Sequence, residues 1–199
     1  MDLKPIDLPY KSLSYLSEKQ LTEHYEVLYK GYVNKTNDIR KKIDITSGEG
    51  ANGTFADIRE LKLEESFALN GVKLHEAYFM SLGGDGKVPK KITDVLAKGF
   101  GSYQKWEADF RATAMSARGW AVLYWDWREM RFCNGLADWH SHGGVWGCSP
   151  VLVLDVYEHA YFMDYGTKRK DYIEAWFAHI NWNHPLAIIN QIEKLKISV

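Results

Sequence analysis

Val151-Leu152-Val153-Leu154-Asp155-Val156-Tyr157-Glu158-His159 decides how the rest of the chain is read. Four apolar residues in an unbroken run, two of them β-branched, fit a strand buried on both faces. The run ends on a carboxylate, so Asp155 starts at a buried strand end, where an ionised side chain is costly unless paired or bound to a metal. His159 follows four residues later. On a helical turn that spacing brings both side chains to one face, pointing inward. Taken alone, the pair fits a metal site or a plain Asp–His hydrogen bond.

Working upstream, Trp120 to Trp125 and Met130 to Ala137 are rich in aromatic and β-branched residues with short polar breaks. With 151–154 they predict a three-stranded antiparallel sheet. Before Gly119 the period is helical. Leu21, Tyr25, Leu28 and Tyr32 recur within Ser17 to Ile43, and Phe67, Val72, His75 and Phe79 within Leu61 to Leu82. These two stretches predict a helical hairpin joined by the loop at Gly48 to Thr54. Shorter helices are expected from Pro89 to Lys98 and from Tyr103 to Ala117, the second capped by Ser102. Downstream, Tyr172, Ala175, Trp176 and His179 mark a last helix over Asp171 to Ile180, stopping near Asn181-Trp182-Asn183-His184-Pro185. The fold class is therefore α+β: an N-terminal antiparallel helical hairpin domain over 1–86, and a C-terminal α/β domain over 87–199 with a three-stranded antiparallel sheet flanked by helices. The boundary is set at Gly83-Gly84-Asp85-Gly86.

A chain of 199 residues with 46% hydrophobic and 14% aromatic content can bury a sizeable core. Lys and Arg total 25 against 26 Asp and Glu, which removes the basic excess of a dedicated nucleic-acid binder. No apolar run approaches the roughly 18 residues of a spanning helix, and the N-terminus lacks a secretory pattern. The expectation is a cytoplasmic protein without a membrane or nucleic-acid partner. Cys133 and Cys148 have no Cys-x-x-Cys spacing and are expected to be reduced and without special role. Gly48-x-Gly50-x-x-Gly53 spells a dinucleotide fingerprint, but charged Arg40-Lys41-Lys42-Ile43-Asp44 precedes it where a buried strand is needed, so it reads as a loop.

His24 and His75 lie on the apolar stripes of the two hairpin helices, His24 in line with Leu28 and Tyr32, His75 with Val72 and Phe79. Added to Asp155 and His159, they make a set of three imidazoles and one carboxylate. Such a mixed nitrogen and oxygen set suits iron, manganese or zinc better than copper(I) or calcium.

Further pieces stand in order along nearly the whole chain: His24-Tyr25 and Tyr32-Val33-Asn34, His75, the Gly83-Gly84 turn, Phe100-Gly101-Ser102, Gly119-Trp120, Asp155-Val156-Tyr157-Glu158-His159-Ala160-Tyr161, Asp164-Tyr165, Lys168-Arg169-x-Asp171-Tyr172 and Ile180-Asn181-Trp182. In these the chain resembles the iron/manganese superoxide dismutase family. The resemblance implies an oxidoreductase that converts superoxide to oxygen and hydrogen peroxide with one Fe or Mn ion per subunit. His24, His75, Asp155 and His159 would be the metal ligands, with a solvent molecule as the fifth. Tyr32 would be the gateway tyrosine. The side chain that tunes the bound solvent, usually a glutamine, would here be His140, fifteen residues before Asp155, with His142 as its competitor. Gly71 occupies the second-helix place from which other members supply that glutamine.

Three departures stand out. Tyr157 replaces a tryptophan of the family signature, altering one wall of the metal pocket. Leu28 and Phe162 replace a histidine and a tyrosine that meet between subunits in most members, and losing both ends of a hydrogen bond together is nearly neutral where losing one is not. The segment Asp138 to Trp146 departs most. Glu158 matches the residue that reaches the last histidine ligand of the partner subunit, which implies a homodimer, or a tetramer built from it. Lys30 and Arg169 are candidates for steering the anionic substrate. The alternative is a catalytically silent metal-binding or structural dimer of the same fold. A complete ligand set with Tyr32 and His140 beside it argues against that, because a structural site needs neither a gate nor a tuning group.

Overall fold

The computed structural model describes residues 2–196. The first long helix, α1, runs without a break through Glu18–Thr22, a π-helical stretch Glu23–Tyr29 and Lys30–Ile45. Ser17 caps it, its Oγ accepting from the Gln20 N–H at 3.1 Å. In the π-helical stretch the Lys30 N–H reaches back to the Tyr25 carbonyl, five residues away. This looser winding changes which residues face inward. Tyr29 and Val33 are fully buried, whereas Leu28 and Tyr32, expected on the apolar stripe, are only half-buried. The antiparallel partner α2 spans Asp57–Met80, and the Gly48 to Thr54 loop between them is exposed. The preceding segment lies across this pair, with the Ile6 N–H donating to the Tyr29 hydroxyl and the Tyr10 hydroxyl to the Phe79 carbonyl.

Two shorter helices follow, α3 over Lys90–Phe100 and α4 over Tyr103–Ser116. Gly101 ends α3 in the left-handed region at φ 87°, and Ser102 caps α4 by accepting from the Lys105 N–H at 3.1 Å. The sheet contains β1 (Trp120–Asp126), β2 (Arg131–Ala137) and β3 (Cys148–Asp155) in the order β2-β1-β3, antiparallel throughout. Leu123 pairs with Leu152 but Tyr124 with Pro150, so Val151 bulges out of the edge strand beside a proline that has no N–H to donate. Trp120 stands opposite Ala137 on one side and Asp155 on the other.

Beyond β3 the structure departs from two expectations. Residues 155–159 are a strand end followed by one 3-10 turn, Glu158–Ala160, rather than a helical turn. The helix over 169–178 ends before Asn181, as expected, but it is not the last. After α5 (Phe162–Tyr165) and α6 (Arg169–Ala178), a further helix, α7, runs over Asn183–Lys196. Pro185 sits in its first turn, where a missing N–H costs no bond, and the Asn181 side chain accepts from the Asn183 N–H at 3.1 Å.

One hydrophobic core joins the helical and sheet regions, from Tyr29 and Phe79 through Trp120 and Val153 to Trp106, Tyr172 and Trp176. The Gly83 to Gly86 turn docks on the end of α6. A Cβ on Gly84 would lie 2.2 Å from the Ile180 carbonyl oxygen, and the Gly84 N–H donates to the His179 carbonyl at 2.9 Å. No helix among the described residues is long and apolar enough to cross a membrane.

Candidate metal centre

α1 carries His24, α2 carries His75, the end of β3 carries Asp155, and the 3-10 turn carries His159. One donor atom from each lies within 4.8 Å of the other three. Asp155 Oδ2 is the common point, at 3.1 Å from His24 Nε2, 3.2 Å from His159 Nε2 and 3.7 Å from His75 Nε2. Its other oxygen accepts from the Tyr157 N–H at 2.9 Å, and the Tyr172 hydroxyl donates to the Asp155 carbonyl at 2.8 Å.

Burial alone disfavours ionisation of Asp155, but His159 and His24 outweigh it and hold the carboxyl far below its ordinary range. Burial lowers His24, against the pull of Asp155, and lowers His75 well below its ordinary value, with the neighbouring His24 adding to the effect. His75 Nδ1–H donates to the Gly71 carbonyl one turn back at 2.6 Å, which leaves Nε2 as the bare nitrogen. That Nε2 is buried and has no hydrogen-bond partner among the described residues. An orphaned imidazole nitrogen facing a shared carboxylate is what a divalent or trivalent first-row ion fills, so the residues present fit such a group.

His140 follows β2 and is buried, with its ring 4.7 Å from Tyr32, 4.7 Å from Phe67 and 5.8 Å from His75. His142 is exposed on the same loop. The Trp120 indole N–H donates to His140 Nδ1 at 2.9 Å, so the neutral ring carries its hydrogen on Nε2. Burial pushes His140 down to about 4, which keeps that ring neutral. Tyr32 lies 5.5 Å from His75, and its ring fills the space over Gly71, where a Cβ would meet it at 3.0 Å. Burial raises its phenol above the ordinary value.

Of the two steering candidates, Lys30 pairs with Glu26 at 2.7 Å, and Arg169 is bound to the Ala117 carbonyl and the Tyr161 hydroxyl. Sequence reasoning gave no role to Gln20, which is fully buried and bridges the His159 carbonyl and the Met163 N–H. Its position one turn before His24 on the same helix was the available signal. Trp120 likewise acquires its role only from the register that sets it against Asp155.

The family described as iron/manganese superoxide dismutases, C-terminal domain, matches residues 88–186. An iron superoxide dismutase of Aquifex pyrophilus is 39% identical over 188 residues, covering 91% of this chain and 88% of the relative. The chain belongs to the iron/manganese superoxide dismutase family. Another family member, a manganese superoxide dismutase of Haloferax volcanii, is 32% identical over 198 residues, 98% of each chain. An iron superoxide dismutase of Cupriavidus metallidurans is 36% identical over 184 residues, covering 91% and 92%. Dismutases named for either metal thus align with it over most of its length, and the cofactor is Fe or Mn. Two of the three departures noted in the sequence lie around His159. Tyr157 stacks on His159 at 5.1 Å, while Leu28 and Phe162 line a single cleft with Glu158 and His159.

Proposed function

We infer that this protein is a superoxide dismutase, disproportionating two superoxide anions and two protons to oxygen and hydrogen peroxide. The convergence of three imidazoles on one carboxylate oxygen carries this reading, and the dismutase relatives support it. When bound, one Fe or Mn ion supplies the one-electron chemistry by alternating between its trivalent and divalent states. His24, His75, Asp155 and His159 would hold it. Asp155 contributes the anionic charge, and the Gly71 carbonyl fixes the His75 tautomer so that its bare nitrogen faces the site.

Tyr32 and His140 are proposed to serve the protons. His140, with its Nδ1 occupied by Trp120, is a donor through Nε2, and Tyr32 beside it holds a phenolic proton at its hydroxyl. Phe67 and Tyr157 flank the His140 ring and keep bulk water from it.

A homodimer belongs to the same proposal. Val27, Phe162 and Met163 are 58%, 48% and 52% exposed around Glu158 and His159, an apolar cluster that a second copy would cover. Leu28 and Phe162, on that same face, would then make an apolar contact between subunits. Glu158→Ala should shift the protein toward monomer in analytical ultracentrifugation, which also separates dimer from tetramer. The division into 1–86 and 87–199 is proposed on the same footing, supported by two ligands coming from each part. Cytoplasmic location is proposed too, and the two free cysteines favour a reducing compartment.

The test is metal content by plasma mass spectrometry together with superoxide consumption, on protein as purified and on apoprotein refilled separately with Fe and Mn. Near one ion per chain with activity following one metal is expected. Full occupancy without activity from either metal would overturn the reading.

A further inference from the structure

We propose that Tyr157 is a positioning residue that ties the His140 loop to the ligand turn through its phenolic hydroxyl. Three contacts from this one residue converge on the site. Its backbone N–H donates to Asp155 Oδ1 at 2.9 Å, its ring stacks on His159 with centroids 5.1 Å apart and planes 16° from parallel, and its hydroxyl donates to the Asp138 carbonyl at 3.0 Å. Asp138 lies two residues before His140 and is held a second time, its Oδ1 accepting from the Arg118 N–H at 3.0 Å. The phenol ring also meets His140 edge-on at 5.5 Å and Trp120 at 6.0 Å.

The fit of the phenol tip depends on Gly119. A Cβ there would lie 2.8 Å from Tyr157 Cζ and 2.9 Å from the Asp138 carbonyl oxygen, so a side chain would occupy the place where hydroxyl and carbonyl meet. The backbone on both sides is thus shaped around this bond. Beyond it the loop is loosely covered. Trp139 is 63% exposed and Trp146 is 99% exposed, so beyond the His140 ring packed on Tyr32 and Phe67 and the Gly143 backbone against the end of β2, the hydrogen bonds at Asp138 and at the His140 ring set where His140 stands. A hydroxyl at residue 157 therefore fixes the His140 ring against the ligand group, and a change there reaches the site through His140 rather than through the ligands. This inference rests on the reading of His140 as the tuning group.

Tyr157→Phe removes only the hydroxyl and leaves the stack on His159 and the N–H to Asp155 in place. In metal-loaded full-length protein, metal per chain should stay at the parent level while amide hydrogen exchange across 138–147 rises about fivefold, the opening factor of one neutral hydrogen bond. The reduction potential should shift, and the shift should vanish when Tyr157→Phe is made in a His140→Ala background. Should Tyr157→Phe fold poorly, Tyr157→Leu removes the hydroxyl without adding a donor or bulk and carries the same exchange expectation across 138–147. Unchanged exchange and potential would overturn the proposal, as would an equal potential shift in both backgrounds, which would mean that Tyr157 acts through His159. The exchange result decides the anchor whether or not the parent protein consumes superoxide, so its failure is distinct from failure of the dismutase reading.

Discussion

His75 and His159 face the same carboxylate oxygen, yet they are held there in different ways. His75 is fully buried on a regular helix, and the carbonyl that fixes its tautomer belongs to the preceding turn of that helix. His159 is partly exposed on a single 3-10 turn, and what holds it lies outside that turn: Gln20 of α1 on its carbonyl, and Tyr157, the residue just before the turn, stacked on its ring. His75 is therefore positioned by the geometry of its own helix, whereas His159 depends on contacts from outside its turn. Precision at the second kind of ligand is a property of several elements together.

The contrast can be broken most severely at its shared point. Asp155→Ala removes the oxygen on which both kinds of ligand converge, and near-complete loss of metal and of activity is expected from mass spectrometry and superoxide assay. Retained stoichiometric metal would rule out the proposed coordination. His140→Ala should leave metal content nearly intact and lower activity by about 10- to 100-fold, the range for outer groups that tune a metal site. Metal loss instead would make His140 a ligand.

Smaller effects sharpen the comparison. Gln20→Ala strips the borrowed support from His159 and leaves buried polar groups without partners, for which a loss of about 1–3 kcal/mol in denaturant unfolding is expected. If His159 truly depends on such contacts, the variant also loses metal faster to a chelator than the parent does. Tyr32→Phe should preserve fold and metal and lower turnover by less than about tenfold, below the usual contribution of an essential proton donor because solvent also supplies protons. A larger loss would make Tyr32 the main proton source.

The same contrast marks what was legible in the sequence. The α+β architecture and the hairpin were readable because a helix announces its buried face by spacing, as His75 does with Val72 and Phe79. Spacing failed where winding changed. Tyr29 replaced Leu28 on the buried face of α1 because the π-helical stretch shifts the phase of every following residue. At Asp155 and His159 the spacing brought the right residues into view on the wrong element, since a strand end and a 3-10 turn also bring them within 3.2 Å. The stop before Pro185 holds for α6, which ends at Ala178, but the same proline sits in the first turn of α7, a use that the sequence pattern does not distinguish from a stop. The bonds from Trp120 to His140 and from Tyr157 to Asp138 span 20 and 19 residues, and strand register, which no local pattern encodes, makes them.

The π-helical stretch of α1 also works as a rotational vernier. Each residue of an ordinary α-helix turns the chain by about 100° and each π-helical residue by less, so rewinding the same seven residues of Glu23–Tyr29 as α-helix would swing everything beyond them around the helix axis. His24 would stay beside Asp155 while Tyr32 left the side of the helix that meets His140. The azimuth between a ligand and its neighbouring phenol is thus set by seven loosely wound residues, and a chain that tightened them would keep its metal-binding histidine while losing the phenol from the pocket.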